Sequence, residues 1–379
     1  MKIVINVGYA LIGEDLELLN NVSIEVSNGI IESIRRGFVR CNTALTFPQG
    51  IAIPLMTNAH IHSADYVCPE IGSDLYIDDL VGEPYGVKYL VLNKYRDKIP
   101  SAIRDFLLSA LQSGTYIIAD FREGGFEGID IAYKIAKEIP IRYVGLGMPT
   151  TKDPLELEVE LMRMLDIANG IAISSPLYYG HELLTTIAKI LRYRKDKIIS
   201  AHISETMEVH NEHDLEYLLK YLKPDQIVHG TYLDRHELEI IKDFGICLVL
   251  CPRANLWFVG TYPRIKDIYE LGIEIAIGTD NAGWLKPDIW RDLELLATLM
   301  RKDLGFIDPD WILRAAIING PKSLRLNPPI ICEDHEAAFM VLSGSLIPIN
   351  TSSNKKLTVI KRGGPENIVL IVIGNEVFV

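Results

Sequence analysis

Ile51-Ala52-Ile53-Pro54-Leu55-Met56-Thr57-Asn58-Ala59-His60-Ile61-His62 is the stretch on which the reading of this chain turns. A β-branched apolar run is followed within a few residues by two histidines spaced two apart. Three later segments have the same order, a buried run and then a polar group. They are Ile198-Ile199 before Ala201-His202-Ile203-Ser204-Glu205, Ile227-Val228 before His229-Gly230, and Ile275-Ala276-Ile277 before Gly278-Thr279-Asp280-Asn281. A polar group just beyond such a run sits at the C-terminal end of a buried strand. In a closed barrel of parallel strands all those ends open onto one face, where active sites are built. Three histidines and an aspartate far apart in sequence thus come within reach of one ion.

Apolar strand candidates recur at 51–53, 115–119, 142–146, 171–174, 198–201, 227–229, 246–250 and 274–277, with helical patterns between them at 103–111, 183–193, 214–222 and 235–244. Eight strands with intervening helices predict an α/β fold, the (β/α)₈ TIM barrel. The chain ends differ. The alternating Val22-Ser23-Ile24-Glu25-Val26, the Asn28-Gly29 turn and Ile30-Ile31-Glu32-Ser33-Ile34 read as a hairpin, and 338–342, 369–373 and 376–379 read as strands. Neither end has enough strands for a stable sheet alone. The expectation is one small β-sandwich built from residues 1–52 at the N-terminus and residues 328–379 at the C-terminus, with the barrel over 53–327. The irregular stretch 65–100 is expected to fold over the barrel mouth as a loop or short helical insert.

Composition narrows the function classes. The 379 residues are 48% hydrophobic and 23% charged, ordinary for a globular protein. A net charge of −12 argues against a nucleic-acid partner, which a basic face would serve. Five scattered cysteines without a CxxC pair read as reduced, pointing to the cytoplasm. The N-terminal residues carry no signal-peptide pattern, and no run of 18 apolar residues suggests a membrane partner. The expected partner is a small-molecule substrate, with homo-oligomerisation left open.

His60 and His62, two apart on a strand, project to the same side and make a ready pair of imidazole ligands. His202 ends another strand and can ligate, with Glu205 leaning over the substrate; alternatively Glu205 opens a helix as a cap. His229 can ligate or hydrogen-bond the reacting water. Asp280 adds an oxygen ligand and a proton acceptor, or else is a turn residue that caps a helix. Three imidazoles and a carboxylate suit zinc, with iron(II) and manganese(II) as alternatives.

The HxH, HxSE, HG and GTDN motifs in this order resemble the amidohydrolase superfamily. The likeness is to its branch of cytosine and guanine deaminases, adenosyl-homocysteine-type deaminases and triazine chlorohydrolases. Cys251-Pro252-Arg253-Ala254-Asn255 is similar to that branch's Cys-Pro-x-Ser-Asn loop, with Ala254 departing from it, and both terminal segments resemble the family's hairpin and late strand. The resemblance implies one metal ion on His60, His62, His202 and Asp280. It implies His229 orienting the attacking water, Glu205 as proton shuttle, and deamination of a heterocyclic amidine such as a purine or pyrimidine derivative. Two-metal members carry a lysine on strand four, and 170–179 contains none. The same site can displace chloride or open a cyclic amide, and a barrel without catalysis would act as a scaffold. Arg122, Glu123, Asn255 and Trp284 are the expected substrate contacts.

Overall fold

The structure, a computed structural model, describes residues 2–378. Met1 and Val379, the latter the end of the expected last strand, lie outside the described residues. The chain begins with β1 (Lys2–Ile12), β2 (Glu17–Ser27), β3 (Ile30–Arg36) and β4 (Ala44–Pro54). There follow β5 (Met56–His62), β6 (Thr115–Arg122), β7 (Arg142–Gly147), β8 (Gly170–Ile173), β9 (Ile198–Ile203), β10 (Gln226–His229), β11 (Cys247–Leu250), β12 (Ile275–Ile277) and the short β13 (Asp280–Asn281). The last strands are β14 (Ala338–Leu342), β15 (Ile368–Ile373) and β16 (Glu376–Phe378).

Strands β5 to β12 are parallel neighbours in chain order, curled so that β13 pairs with β5. The eighth strand is split. Its first half pairs with β11, and after Gly278-Thr279 its second half sets Asp280 opposite Ile61 and Asn281 opposite His62. A side chain at the crossing would not fit: a Cβ on Gly278 would stand 2.8 Å from the His60 Cβ and 3.0 Å from Cys251 Sγ. Asn58 fastens this seam, its amide donating to Thr279 Oγ1 at 2.7 Å and its oxygen accepting from Thr279 N at 3.0 Å. The helices between strands follow local signals. Arg235–Phe244 starts in a capping box, Asp234 with Glu237, and ends at Gly245 with φ 64°.

The chain ends form a separate mixed sheet in the order β16-β15-β14-β4-β1-β2-β3, one hydrogen-bonded series of seven strands. Its period-two alternation serves two cores. Ile51, Ile53, Met340, Leu342, Ile371 and Ile373 join the barrel's core, whereas Ala52, Phe339, Val341, Leu370 and Val372 face a second one with Ile5, Val22 and Ile24. This corrects one expectation: residues 51–53 lie in β4 of the terminal sheet. The first barrel strand is the histidine segment itself. A β-branched run buried on both faces reads alike in either sheet, so the run alone does not choose between them.

The insert carries the short α-helices α1 (Ile77–Val81) and α2 (Val87–Lys94), and residues of both line the cavity at the strand ends. No helix among the described residues is long and apolar enough to cross a membrane.

Candidate metal centre

The strand ends bring four imidazoles and a carboxylate together. His60 Nε2 lies 3.1 Å from Asp280 Oδ1 and 3.2 Å from His202 Nε2, and His62 Nε2 lies 3.7 Å from the same Asp280 oxygen. Donor atoms around a tetrahedral ion at about 2.0–2.1 Å stand about 3.3 Å apart, close to these spacings. His60, His62 and His202 offer ligand atoms that all lie within 4.8 Å of one another, as do His60, His229 and Asp280. The donor atoms are aimed inward. His202 Nδ1 donates to the Ser174 carbonyl at 3.2 Å, which leaves the Nε2 electron pair facing the cluster. The Phe121 ring stacks on His202 with centroids 4.8 Å apart and meets His60 edge-on at 4.4 Å, so neither imidazole is free to turn. Three electron-pair atoms crowded in a buried space call for a cation, and the set fits a divalent metal ion.

The backbone is under tension here. His229 and Asp280 have φ of 71° and 61°, the left-handed region that side-chain-bearing residues rarely adopt. Such conformations persist where the surroundings over-determine them, and they gather at functional sites.

Burial sets the protonation. Desolvation lowers His60 to about 4 and His229 to about 3, and holds His202 well below the usual histidine range, so all three imidazoles are neutral near pH 7. Burial opposes ionisation of Asp280, but His60 and His229 outweigh it and hold the carboxyl below its usual range. Glu205 moves the other way: desolvation, then the charges of Asp280 and Asp78, raise it well above an ordinary glutamate. Two carboxyls that share His229 as a neighbour are thus driven in opposite directions, the pattern by which an acid and a base are told apart.

Glu205 Oε1 lies 3.5 Å from His229 Nε2, and its side chain is 19% exposed into a cavity of about 260 Å³ over the cluster. His229 Nε2 has no hydrogen-bond partner among the described residues, while its Nδ1 faces the Asn255 amide at 3.1 Å. The cavity walls include Asp78, Glu83 and Tyr89 from the insert and Tyr178 from the helix after β8.

The four residues expected at the substrate do not line this cavity. Asn255 stands behind His229 and donates to Thr231 Oγ1 at 2.8 Å. Trp284 donates its indole N–H to the Ile71 carbonyl at 3.0 Å, pinning the start of the insert. Arg122 and Glu123 are buried, pair at 2.9 Å and border a neighbouring cavity of about 460 Å³ that shares Glu83, Tyr89, Met148 and Tyr178 with the first. Phe121, Lys88 and Asp65 are absent from the sequence-derived set. Phe121 has a legible signal, since it lies two residues before Glu123 on a strand neighbouring β5. Lys88 has none, lying in an insert without a clear pattern.

The amidohydrolase family model matches residues 51–373, most of the chain. An uncharacterised protein of Methanocaldococcus jannaschii is 31% identical over 348 residues, covering 87% of this chain and 87% of that protein. A 5-methylthioadenosine/S-adenosylhomocysteine deaminase of Thermococcus onnurineus is 23% identical, covering 92% of this chain and 88% of the deaminase. Among solved structures, the atrazine chlorohydrolase of Arthrobacter aurescens complexed with zinc superposes with a TM-score of 0.83 at 16% identity, covering 100% of this chain and 95% of that one. Sequence and fold converge: the chain belongs to the amidohydrolase family.

Proposed function

We propose that this protein is a metal-dependent hydrolase that deaminates an amino-substituted heterocycle, a purine or pyrimidine derivative. One observation carries the reading: three histidines and Asp280 converge beneath a cavity into which Glu205 reaches, 3.5 Å from His229. His60, His62, His202 and Asp280 would hold one divalent ion, for which zinc suits the donor set best. Such an ion, when bound, makes water a nucleophile at neutral pH. His229, neutral and with Nε2 facing the cavity, orients the attacking water. Glu205, kept neutral by its surroundings, donates its proton to the ring nitrogen beside the attacked carbon. It then takes the two protons of the attacking water in turn, delivering the first to the departing ammonia and keeping the second, which restores the acid as the ring carbonyl forms.

The cavity suits a compact ring, being just under the roughly 300 Å³ at which small-molecule pockets usually begin. Asp78, Glu83 and Glu205 face it, and its one lysine is committed to Asp65 and Glu123, a lining that favours a ring rich in N–H donors. We read residues 53–327 as the catalytic barrel, and 1–52 with 328–379 as a small β-sandwich in which the terminal sheet folds over its own core. The cytoplasm is the compartment we assign.

The same chemistry serves other leaving groups, and the likeness to a chlorohydrolase favours chloride as the second reading. A panel of aminated, chlorinated and amide heterocycles, assayed for ammonia, chloride and amine release, tests the proposal. Ammonia from an aminated ring is the expected result. Release of chloride alone would transfer the assignment to the second reading, and no release from any zinc-loaded sample would leave the barrel a scaffold.

A further inference from the structure

Behind His62 lies a buried charge cluster that the proposed reaction does not use and that reaches the cavity wall only through Lys88. Glu123 Oε1 is 2.7 Å from His62 Nδ1, and its Oε2 accepts from Arg122 Nη1 at 2.9 Å. Lys88, carried by α2 of the insert, places Nζ 2.6 Å from Glu123 Oε1, 2.9 Å from Asp65 Oδ2 and 3.2 Å from His62 Nδ1. Glu123, Arg122, Lys88 and Asp65 are all less than a tenth exposed. His62, Asp65 and Glu123 together offer ligand atoms within 4.8 Å, but the Lys88 ammonium lies among them.

A neutral imidazole has one N–H and one electron pair, on opposite nitrogens. A carboxylate only accepts, so in the 2.7 Å contact His62 donates from Nδ1. The electron pair is then on Nε2, facing Asp280 and the ligand cluster. Lys88 presents the opposite choice. An ammonium only donates, so without Glu123 it would donate to Nδ1 across 3.2 Å and force the N–H onto Nε2, taking His62 out of the ligand set. The two neighbours therefore compete for the orientation of one proton on His62.

We propose that Glu123 is the positioning residue that makes His62 a metal ligand, and that Lys88 is held harmless by Glu123 and Asp65 while anchoring the insert to the site. This rests on the metal assignment above. Docking the insert over the mouth and setting the His62 tautomer become one event, because Lys88 belongs to both.

The test is the zinc dissociation constant, measured by competition with a chromogenic chelator on the full chain. Glu123→Leu should weaken zinc binding about 10- to 100-fold, the usual effect of removing such a partner. Glu123→Gln keeps an acceptor oxygen and should lose less. Lys88→Met added to Glu123→Leu should recover some of the loss, since the competing donor is gone. A merely structural role predicts the reverse, a deeper loss in the double variant. Should Glu123→Leu not fold, imidazole nitrogen resonances of the zinc-loaded parent decide the point: a proton on His62 Nδ1 supports the proposal, and a proton on Nε2 overturns it. Zinc binding by Glu123→Leu as tight as the parent's also overturns it. Failure of the parent itself to bind zinc would instead defeat the metal assignment.

Discussion

Replacing Glu205 with Gln separates the proton shuttle from the metal ligands. The side chain keeps its shape and loses its acidic proton. Removing a positioned general acid–base group costs about 10²- to 10⁴-fold in rate, or roughly 2.7–5.4 kcal/mol of transition-state stabilisation. The metal should stay: the shortest contacts of the cluster, 3.1 Å from His60 to Asp280 and 3.2 Å from His60 to His202, do not involve Glu205. Stability supplies an independent sign. Burial raises the Glu205 carboxyl in the folded chain, so between the unfolded value near 4.5 and the folded value the native state holds a proton that the unfolded state releases. Raising pH through that window weakens folding, and the neutral amide removes the penalty. At pH 7 the metal-free Glu205→Gln protein should therefore melt at or above the parent's temperature. Ammonia release, metal per chain and melting temperature are read on the same sample. Near-full activity, or a loss of metal, would refute the shuttle assignment.

Metal per chain should also distinguish two histidines: His202→Ala removes a ligand outright, whereas His229→Asn should keep the ion and lose turnover. Equal loss of metal in both variants would put His229 among the ligands. Because burial lowers His60 to about 4, bound metal should persist from pH 7 to about 5 and dissociate as pH nears 4. In the metal-free protein this histidine stabilises the fold above its unfolded value of about 6.5, and that contribution fades as pH falls towards about 4; a melting temperature unchanged between pH 7 and about 4.5 would contradict it. Burial pushes Cys247 up to about 12 and Cys251 well above its usual value, so at pH 8 a thiol reagent should label exposed Cys41 promptly and these two only on unfolding.

The cluster is legible in the sequence because each member follows a buried run and the strands are parallel. A strand end is a place in space, and four such ends in a barrel have one meeting point. His60, His62, His202, His229 and Asp280 are found this way from order alone. The residues that turn and hold those side chains are not, since their contacts cross between elements. The Ser174 carbonyl meets His202 from the end of β8, and Lys88 reaches His62 from an insert with no periodic pattern. Arg122 and Glu123 show the limit most clearly. Charges after a strand suggest a surface loop or substrate contact, yet β6 continues through Arg122 and buries both residues, a pairing visible only once β5 and β6 lie side by side. Residues 51–53 illustrate the same limit for the fold: composition gives a strand, and only its partners give the sheet.

The split eighth strand has a consequence for how the barrel stays shut. Its joint is short, two residue pairs between β13 and β5, and both pairs touch the ligand residues themselves. An ion gripped by His60 and Asp280 would clasp positions 220 apart in the chain. Closing a loop of that length costs about 5 kcal/mol in chain entropy by the logarithmic scaling for flexible loops. The ion is then a cross-link as well as a reagent, the reversible counterpart of a disulfide placed at the one gap in an otherwise continuous hoop. Deprived of it, the hoop should breathe at that gap first, and amide exchange at Asp280 and Asn281 should quicken while the far wall at β8 and β9 stays protected.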